Sequence, residues 1–208
     1  VISSGSTPSF SEFDPSIIPM QDALVDDITC RFDYSHELHE VLLSGSVGSS
    51  KSIVMAHIGV LHCLRFSKAC LLLGRRSLPD LKSTIFTKIL EHLEGSLVEG
   101  KDYNYQETTA YIQFRNGSEI ISRSWADKRY KKFRSLELSA AIIEELSENN
   151  EEDRQAYEEI KMRIGRLPHI PEKWIIAATN ADSPGHWIYK HWMEDPNVTS
   201  YSSQRGYF

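Results

Sequence analysis

Apolar residues along this chain fall into two alternating patterns. Some form short unbroken runs bounded by polar turns, and others recur every three or four positions. The first pattern marks strands buried on both faces and the second amphipathic helices. Glu40–Ser44, Ala69–Leu73, Ser139–Ile143 and Trp174–Ala178 are the strand-like runs. Met20–Ile28 has helical spacing through Met20, Ala23, Leu24 and Ile28. Lys51–Phe66 has it through Ile53, Met55, Ala56, Val60, Leu61 and Leu64, and Leu78–Leu93 through Leu78, Leu81, Ile85, Ile89 and Leu93, with Pro79 tolerated in the first turn. Glu151–Ile164 predicts a charged surface helix. Ser183-Pro184 predicts the start of a short helix running through Trp192, with Ser183 as its N-cap.

The period changes in one place. Tyr103–Glu107 and Thr109–Phe114 alternate, Asn116-Gly117 supplies a hairpin turn, and Ser118–Arg123 resumes the alternation. This predicts an antiparallel hairpin inserted on an otherwise parallel sheet. Cys30–His39 reads as an irregular polar connection and Trp125–Leu138 as a polar, basic one. Val1–Ser11 is rich in Ser with Gly and Pro, so residues 1–13 read as a flexible lead-in, 14–195 as one domain and 196–208 as a polar tail. Strands alternating with helices define the α/β class, with a mainly parallel central sheet flanked by helices.

Composition narrows the function classes. A length of 208 residues suits one domain, and 40% apolar with 25% charged residues is ordinary for a globular protein. The net charge of −6 means that any nucleic-acid contact must be a local patch. Cys30, Cys63 and Cys70 form no C-x-x-C pair and read as reduced thiols, and the eight His form no metal-ligand motif. No apolar run approaches the ~20 residues of a membrane helix, and no signal peptide opens the chain. The expectation is a cytosolic protein without a membrane partner.

The chemistry gathers at strand ends. Leu42-Leu43 lead into a small-residue turn that closes on Lys-Ser at the head of a helix, the outline of a phosphate-binding loop. Phosphates need inward-pointing backbone N–H groups, small residues, a cation and a hydroxyl for Mg²⁺. Gly45, Ser46, Val47, Gly48, Ser49 and Ser50 form the turn, Lys51 is the cation and Ser52 the hydroxyl. In the usual G-x-x-x-x-G-K-S/T, Ser50 stands where the last Gly belongs, a poor choice if that position takes positive φ. A Ser/Gly turn that merely precedes a helix is the alternative.

Glu144-Glu145 close the third strand run, where Glu144 can hold Mg²⁺ and Glu145 can polarise an attacking water. A solvated acidic strand end continuing into Glu148, Glu151, Glu152 and Asp153 is the alternative. Thr179-Asn180 close the fourth run and either sense a γ-phosphate or cap a turn. Lys128–Arg134 is the dense basic stretch, open to a phosphate backbone, to a neighbouring subunit's nucleotide, or simply to solvent. Arg75-Arg76 follow the second run, one of them facing phosphates or both at the surface. Gln21 can read adenine through its amide or be solvated. Open α/β sheets bind ligands at the carboxyl ends of their strands, so these motifs converge.

In this order the stretches resemble the large terminase subunits of tailed bacteriophages, specifically their N-terminal ATPase domain. The similarity runs from about Met20 to Trp192. Ser44–Ser52 is similar to the family's phosphate loop and Gly74–Lys82 to the segment after its second strand. Lys132–Glu137 and the strand to Glu144-Glu145 are similar to its turn and acidic strand. Ala178–Asn180 and then Pro184–Tyr189 are similar to its coupling motif and next helix. The resemblance implies a P-loop NTPase fold of the ASCE, RecA-like type, hydrolysing ATP with Mg²⁺ to move double-stranded DNA into a procapsid. It implies Lys51 at the β/γ-phosphates, Ser52 and Glu144 at Mg²⁺ and Glu145 as catalytic base. Thr179 and Asn180 would couple hydrolysis to movement, Arg134 would act across subunits and Gln21 would sit at adenine.

The implied partners are double-stranded DNA, a portal ring, a small terminase subunit and further copies of the chain, a pentamer when assembled and a monomer alone. The implied location is the infected host's cytoplasm, on the procapsid. The chain departs from the family in Ser50, in a loop without the Arg of many members, and in Glu144 where Asp is commoner. The family's nuclease half is expected to be absent from this chain, with 196–208 as the start of a linker to it and no DNA cleavage expected. A helicase-type DNA-dependent ATPase and a nucleotide-binding assembly module without hydrolysis are the rival readings.

Overall fold

The computed structural model describes residues 9–35, 37–45, 50–127, 130–147, 149–180, 186–193 and 199–202. In chain order the elements are α1 (Pro19–Asp26), β1 (His39–Ser44), α2 (Lys51–Arg65), β2 (Cys70–Arg75), α3 (Leu78–Leu81), α4 (Thr87–Leu93), β3 (Tyr103–Gln106), β4 (Tyr111–Phe114), β5 (Glu119–Ser124), β6 (Ala140–Ile143), α5 (Asn150–Lys161), β7 (Trp174–Thr179), α6 (Trp187–Met193) and β8 (Thr199–Ser202). The eight strands form one sheet in the order β3-β4-β5-β2-β6-β7-β1-β8.

The four apolar runs are the central strands β2, β6, β7 and β1, each parallel to its neighbour. Every residue of β6 and β7 is buried, so neither run shows polar alternation. Side chains still alternate between faces with period two. Leu43, Leu71, Ile142 and Ile176 point into a core under α1, α2 and α4. Leu42, Leu72, Ala141 and Ile175 point into a second core under α5 and α6. Gly59 lets α2 lie close on the sheet, since a Cβ there would meet Leu71 Cδ2 at 2.9 Å and Ile142 Cδ1 at 3.0 Å.

The antiparallel hairpin is present as expected, and it is continuous with the parallel sheet. β5 pairs in parallel with β2, and β4 and β3 then extend the same sheet antiparallel. Its turn is pinned to the end of α2, where Asn116 Nδ2 donates to the Cys63 carbonyl at 2.8 Å. Several sequence readings need correction. Thr199–Ser202, read as polar tail, pair in parallel with β1 as an edge strand. The stretch read as polar and basic buries Trp125, Phe133 and Leu138 completely. Trp125 Nε1 donates to Asp153 Oδ1 at 2.6 Å, tying that stretch to the first turn of α5. These three anchors follow neither helical nor strand spacing, so periodicity does not find them.

The lead-in is partly structured. Phe10 stacks on His57 with centroids 5.1 Å apart, and Phe13 packs on the same ring at 4.7 Å. A π-helical turn, Asp27–Arg31, continues α1 through the end of the expected helix and takes in Cys30 and Arg31 of the connection read as irregular. The single helix expected over Leu78–Leu93 is interrupted by another π-helical turn, Lys82–Phe86, between α3 and α4. Its buried residues Leu81, Ile85, Ile89 and Leu93 are spaced by four, longer than the 3.6-residue α period, and the π turn takes up the excess. Ser183-Pro184, expected to open the last helix, lie outside the described residues.

Candidate functional site

Because the central strands are parallel, their carboxyl ends share one edge of the sheet, and the candidate residues arrive there from β1, β2, β6 and β7. At the end of β1 the Gly45 N–H donates to the Thr179 carbonyl at 3.4 Å. Ser46, Val47, Gly48 and Ser49 of the predicted loop lie outside the described residues. Ser50 stands directly before α2. Ser50 has φ 58°, a left-handed conformation, so the position does take the positive φ that a glycine would adopt freely. For an L-residue this conformation costs about 1–2 kcal/mol.

Lys51 opens α2 and folds back, its Nζ donating to the Gly45 carbonyl at 2.7 Å. Burial pulls its ammonium below the ordinary lysine value, while the charges of Glu145 and Glu144 pull the other way. Ser52 Oγ donates to Glu144 Oε1 at 3.0 Å, although the two residues are 92 positions apart. Glu144 is 5% exposed, and its N–H donates to the Gly74 carbonyl at 2.9 Å, so its backbone continues the β2–β6 pairing.

Glu145 turns away from that pairing with φ 48°, again left-handed. Asn180 Nδ2 donates to Glu145 Oε2 at 3.1 Å, linking the ends of β6 and β7. Two strained non-glycine residues thus flank the Lys51–Glu144 region, as recurs where a site over-determines its backbone. Thr179 is buried, and its hydroxyl donates to the Asn180 carbonyl at 2.9 Å. Gln21 on α1 is 2% exposed and gives its Nε2 to the Ser50 carbonyl at 3.3 Å, so it braces the end of the loop rather than standing in solvent.

The arginines separate. Arg75, at the end of β2, lies 3.6 Å from Glu144 Oε2, whereas Arg76 pairs with Glu152 of α5 at 3.3 Å. Arg134 is not brought to this edge within the chain. It precedes the amino end of β6, is exposed, and lies 3.3 Å from Glu159 near the end of α5. Lys132 pairs with Asp127 at 3.1 Å, and Lys128 and Arg129 lie outside the described residues. Sequence reasoning missed Thr84, whose Oγ1 donates to Glu144 Oε2 at 2.6 Å from the π turn. The four-residue spacing that produces this turn was the available signal.

The donor set suits Mg²⁺. Ser52 Oγ and Glu144 Oε1 are hard oxygen donors side by side, and Mg²⁺ is commonly held by one or two carboxylates with substrate phosphates and water. Among the described residues no group of three or more His, Cys, Asp or Glu could hold a metal ion.

A mostly parallel sheet with Gly45 after β1, Lys51-Ser52 opening α2 and an acidic pair after β6 is the architecture of the P-loop fold. A sequence profile described as phage terminase large subunit matches residues 37–208, and the chain belongs to that family. A large terminase from a thermophilic bacteriophage superposes with a TM-score of 0.69 at 14% identity, over 89% of this chain and 45% of that one. The same terminase in complex with ADP gives 0.71 at 14% identity, over 89% and 44%. The large terminase ATPase domain of Thermus phage P74-26 gives 0.60 at 15% identity, over 88% and 79%. Identities this low establish the fold. The chain spans less than half the length of the first of these terminases. No curated protein sequence matches it.

Proposed function

We propose that this chain hydrolyses ATP with Mg²⁺ as the motor portion of a phage packaging enzyme and drives double-stranded DNA into a procapsid. The observation that carries the reading is the Ser52–Glu144 contact of 3.0 Å, on the edge that also holds Lys51 and Glu145. Lys51 exchanges the Gly45 carbonyl for β- and γ-phosphate oxygens. Ser52 and Glu144 would hold Mg²⁺, which would neutralise charge on the phosphate oxygens. Glu145 accepts the proton of the attacking water as the water's oxygen bonds the γ-phosphorus, the bond from that phosphorus to the β,γ-bridging oxygen breaks, and ADP leaves with the electron pair. Asn180 keeps the Glu145 carboxylate aimed and, with Thr179, relays the γ-phosphate's departure to β7. Gln21 offers the rest of its amide to adenine.

Family membership supports the wider reading: a ring of copies, a pentamer when assembled, on a portal and with a small terminase subunit, in the infected host's cytoplasm. In that ring Arg134, on the edge remote from its own loop, serves a neighbour's nucleotide. ATP turnover by the chain assembled with portal and DNA tests the assignment. Lys51→Ala and Glu145→Ala should each lower turnover by about 10²-fold or more. Rates equal to wild type in both would overturn it. The left-handed Ser50 favours a second reading, nucleotide binding without hydrolysis. Tight ATP binding with no turnover in the full assembly would select that reading.

A further inference from the structure

Glu144 has a second carboxylate oxygen, and its surroundings are as well defined as those of the first. Oε1 faces Ser52 Oγ at 3.0 Å, while Oε2 accepts from Thr84 Oγ1 at 2.6 Å and lies 3.6 Å from Arg75 Nη1. Arg75 Nη1 also donates to Thr84 Oγ1 at 3.1 Å, closing a three-residue ring around Oε2. The Arg75 and Glu144 side chains are only 15% and 6% exposed, so water screens this ring little.

Thr84 has one hydroxyl proton and three acceptors in reach, Glu144 Oε2 at 2.6 Å, the Asp80 carbonyl at 2.7 Å and the Leu81 carbonyl at 3.4 Å. The ionised acceptor makes the stronger bond, so the proton goes to Glu144 and the Arg75 donor occupies the hydroxyl's lone pair. Thr84 is the central residue of the π turn Lys82–Phe86. One extra residue in a helical turn rotates the rest of the helix by about 100°, and this places a hydroxyl toward the sheet between buried Leu81 and Ile85. A carboxylate held through one oxygen swings freely about its last torsion, which is broad and two-fold. Holding the other oxygen removes that freedom.

We propose that Thr84 is a positioning residue for the metal-side carboxylate: with Arg75 it clamps Glu144 Oε2, so that Oε1 stays turned to Ser52. The proposal rests on the reading of this edge as a Mg²⁺–ATP seat. Partners that orient a ligating carboxylate alter metal affinity by about 10–100-fold.

The test is equilibrium binding of a fluorescent ATP analogue to the purified chain, titrated with Mg²⁺, with melting temperature recorded alongside. Thr84→Val keeps the side-chain shape and removes the hydroxyl. It should raise the Mg²⁺ concentration for half-saturation about tenfold or more, leaving Mg²⁺-free binding unchanged. Thr84→Ser restores the hydroxyl and should stay near wild type. An unchanged Mg²⁺ dependence in Thr84→Val, or a Ser variant as impaired as Val, overturns the proposal while leaving the site reading intact. Wild-type binding that ignores Mg²⁺ overturns the site reading itself. If Thr84→Val does not fold, Arg75→Gln must show the same rise, and its absence is equally fatal.

Discussion

Glu40 on β1 is bound by three side chains from two helices, α5 and α6, and its removal should be visible in how stability responds to acid. Lys161 Nζ lies 2.6 Å from Oε1, His191 Nε2 lies 2.8 Å from Oε2, and the Tyr157 hydroxyl donates to Oε2. Its side chain is 11% exposed. Burial alone pushes this carboxyl up. The hydrogen bonds from His191, Lys161 and Tyr157, with the charge of Lys161, outweigh that and bring it down from 4.5 to about 2. The gap of roughly two and a half units corresponds to ~3 kcal/mol at about 1.4 kcal/mol per unit.

The folded value lies below the unfolded one, so the contribution is complete above about pH 4.5 and is lost as pH falls toward about 2. Glu40→Gln removes it, and the ~3 kcal/mol is an upper figure because Lys161, 34% exposed, regains some hydration. Urea unfolding followed by tryptophan fluorescence is the assay, since Trp187 and Trp192 pack on Tyr157. The wild-type-to-variant gap should be near its full value at neutral pH and about 1 kcal/mol smaller one unit below the unfolded pKa. A gap that is equal at the two pH values, or wider in acid, refutes the reasoning.

Ser50→Gly should relieve the left-handed backbone at φ 58°. The gain of about 1–2 kcal/mol is partly offset by the ~0.5–1 kcal/mol that glycine loses to its freer unfolded chain. The melting temperature should stay level or rise, and a clear fall would show that the Ser50 side chain makes a contact worth more than the strain. Arg134→Ala should abolish turnover in the assembled ring yet spare ATP binding by the single chain. Mixing it with Glu145→Ala protein should restore part of the activity, and no recovery in mixed rings would remove the across-subunit role.

The four apolar runs determined the parallel core by themselves, because burial on both faces leaves no room for polar alternation in β6 or β7. Lys51-Ser52, Glu144-Glu145 and Thr179-Asn180 were legible for the same reason: parallel strands must deliver their ends to one edge. What the one-dimensional pattern could not carry were contacts that obey no period. Trp125 and Phe133 enter the core from a stretch that looks solvated, and Thr199–Ser202 become an edge strand only by pairing with β1. The ring around Glu144 Oε2 joins β2, β6 and a π turn, and Arg75 and Arg76 are indistinguishable until the fold sends one to Glu144 and the other to Glu152. Ser50 shows the division most plainly. Its identity questioned the phosphate loop, and only the tertiary structure could say that the position is left-handed, because φ belongs to the folded backbone and a serine can adopt either sign at a cost.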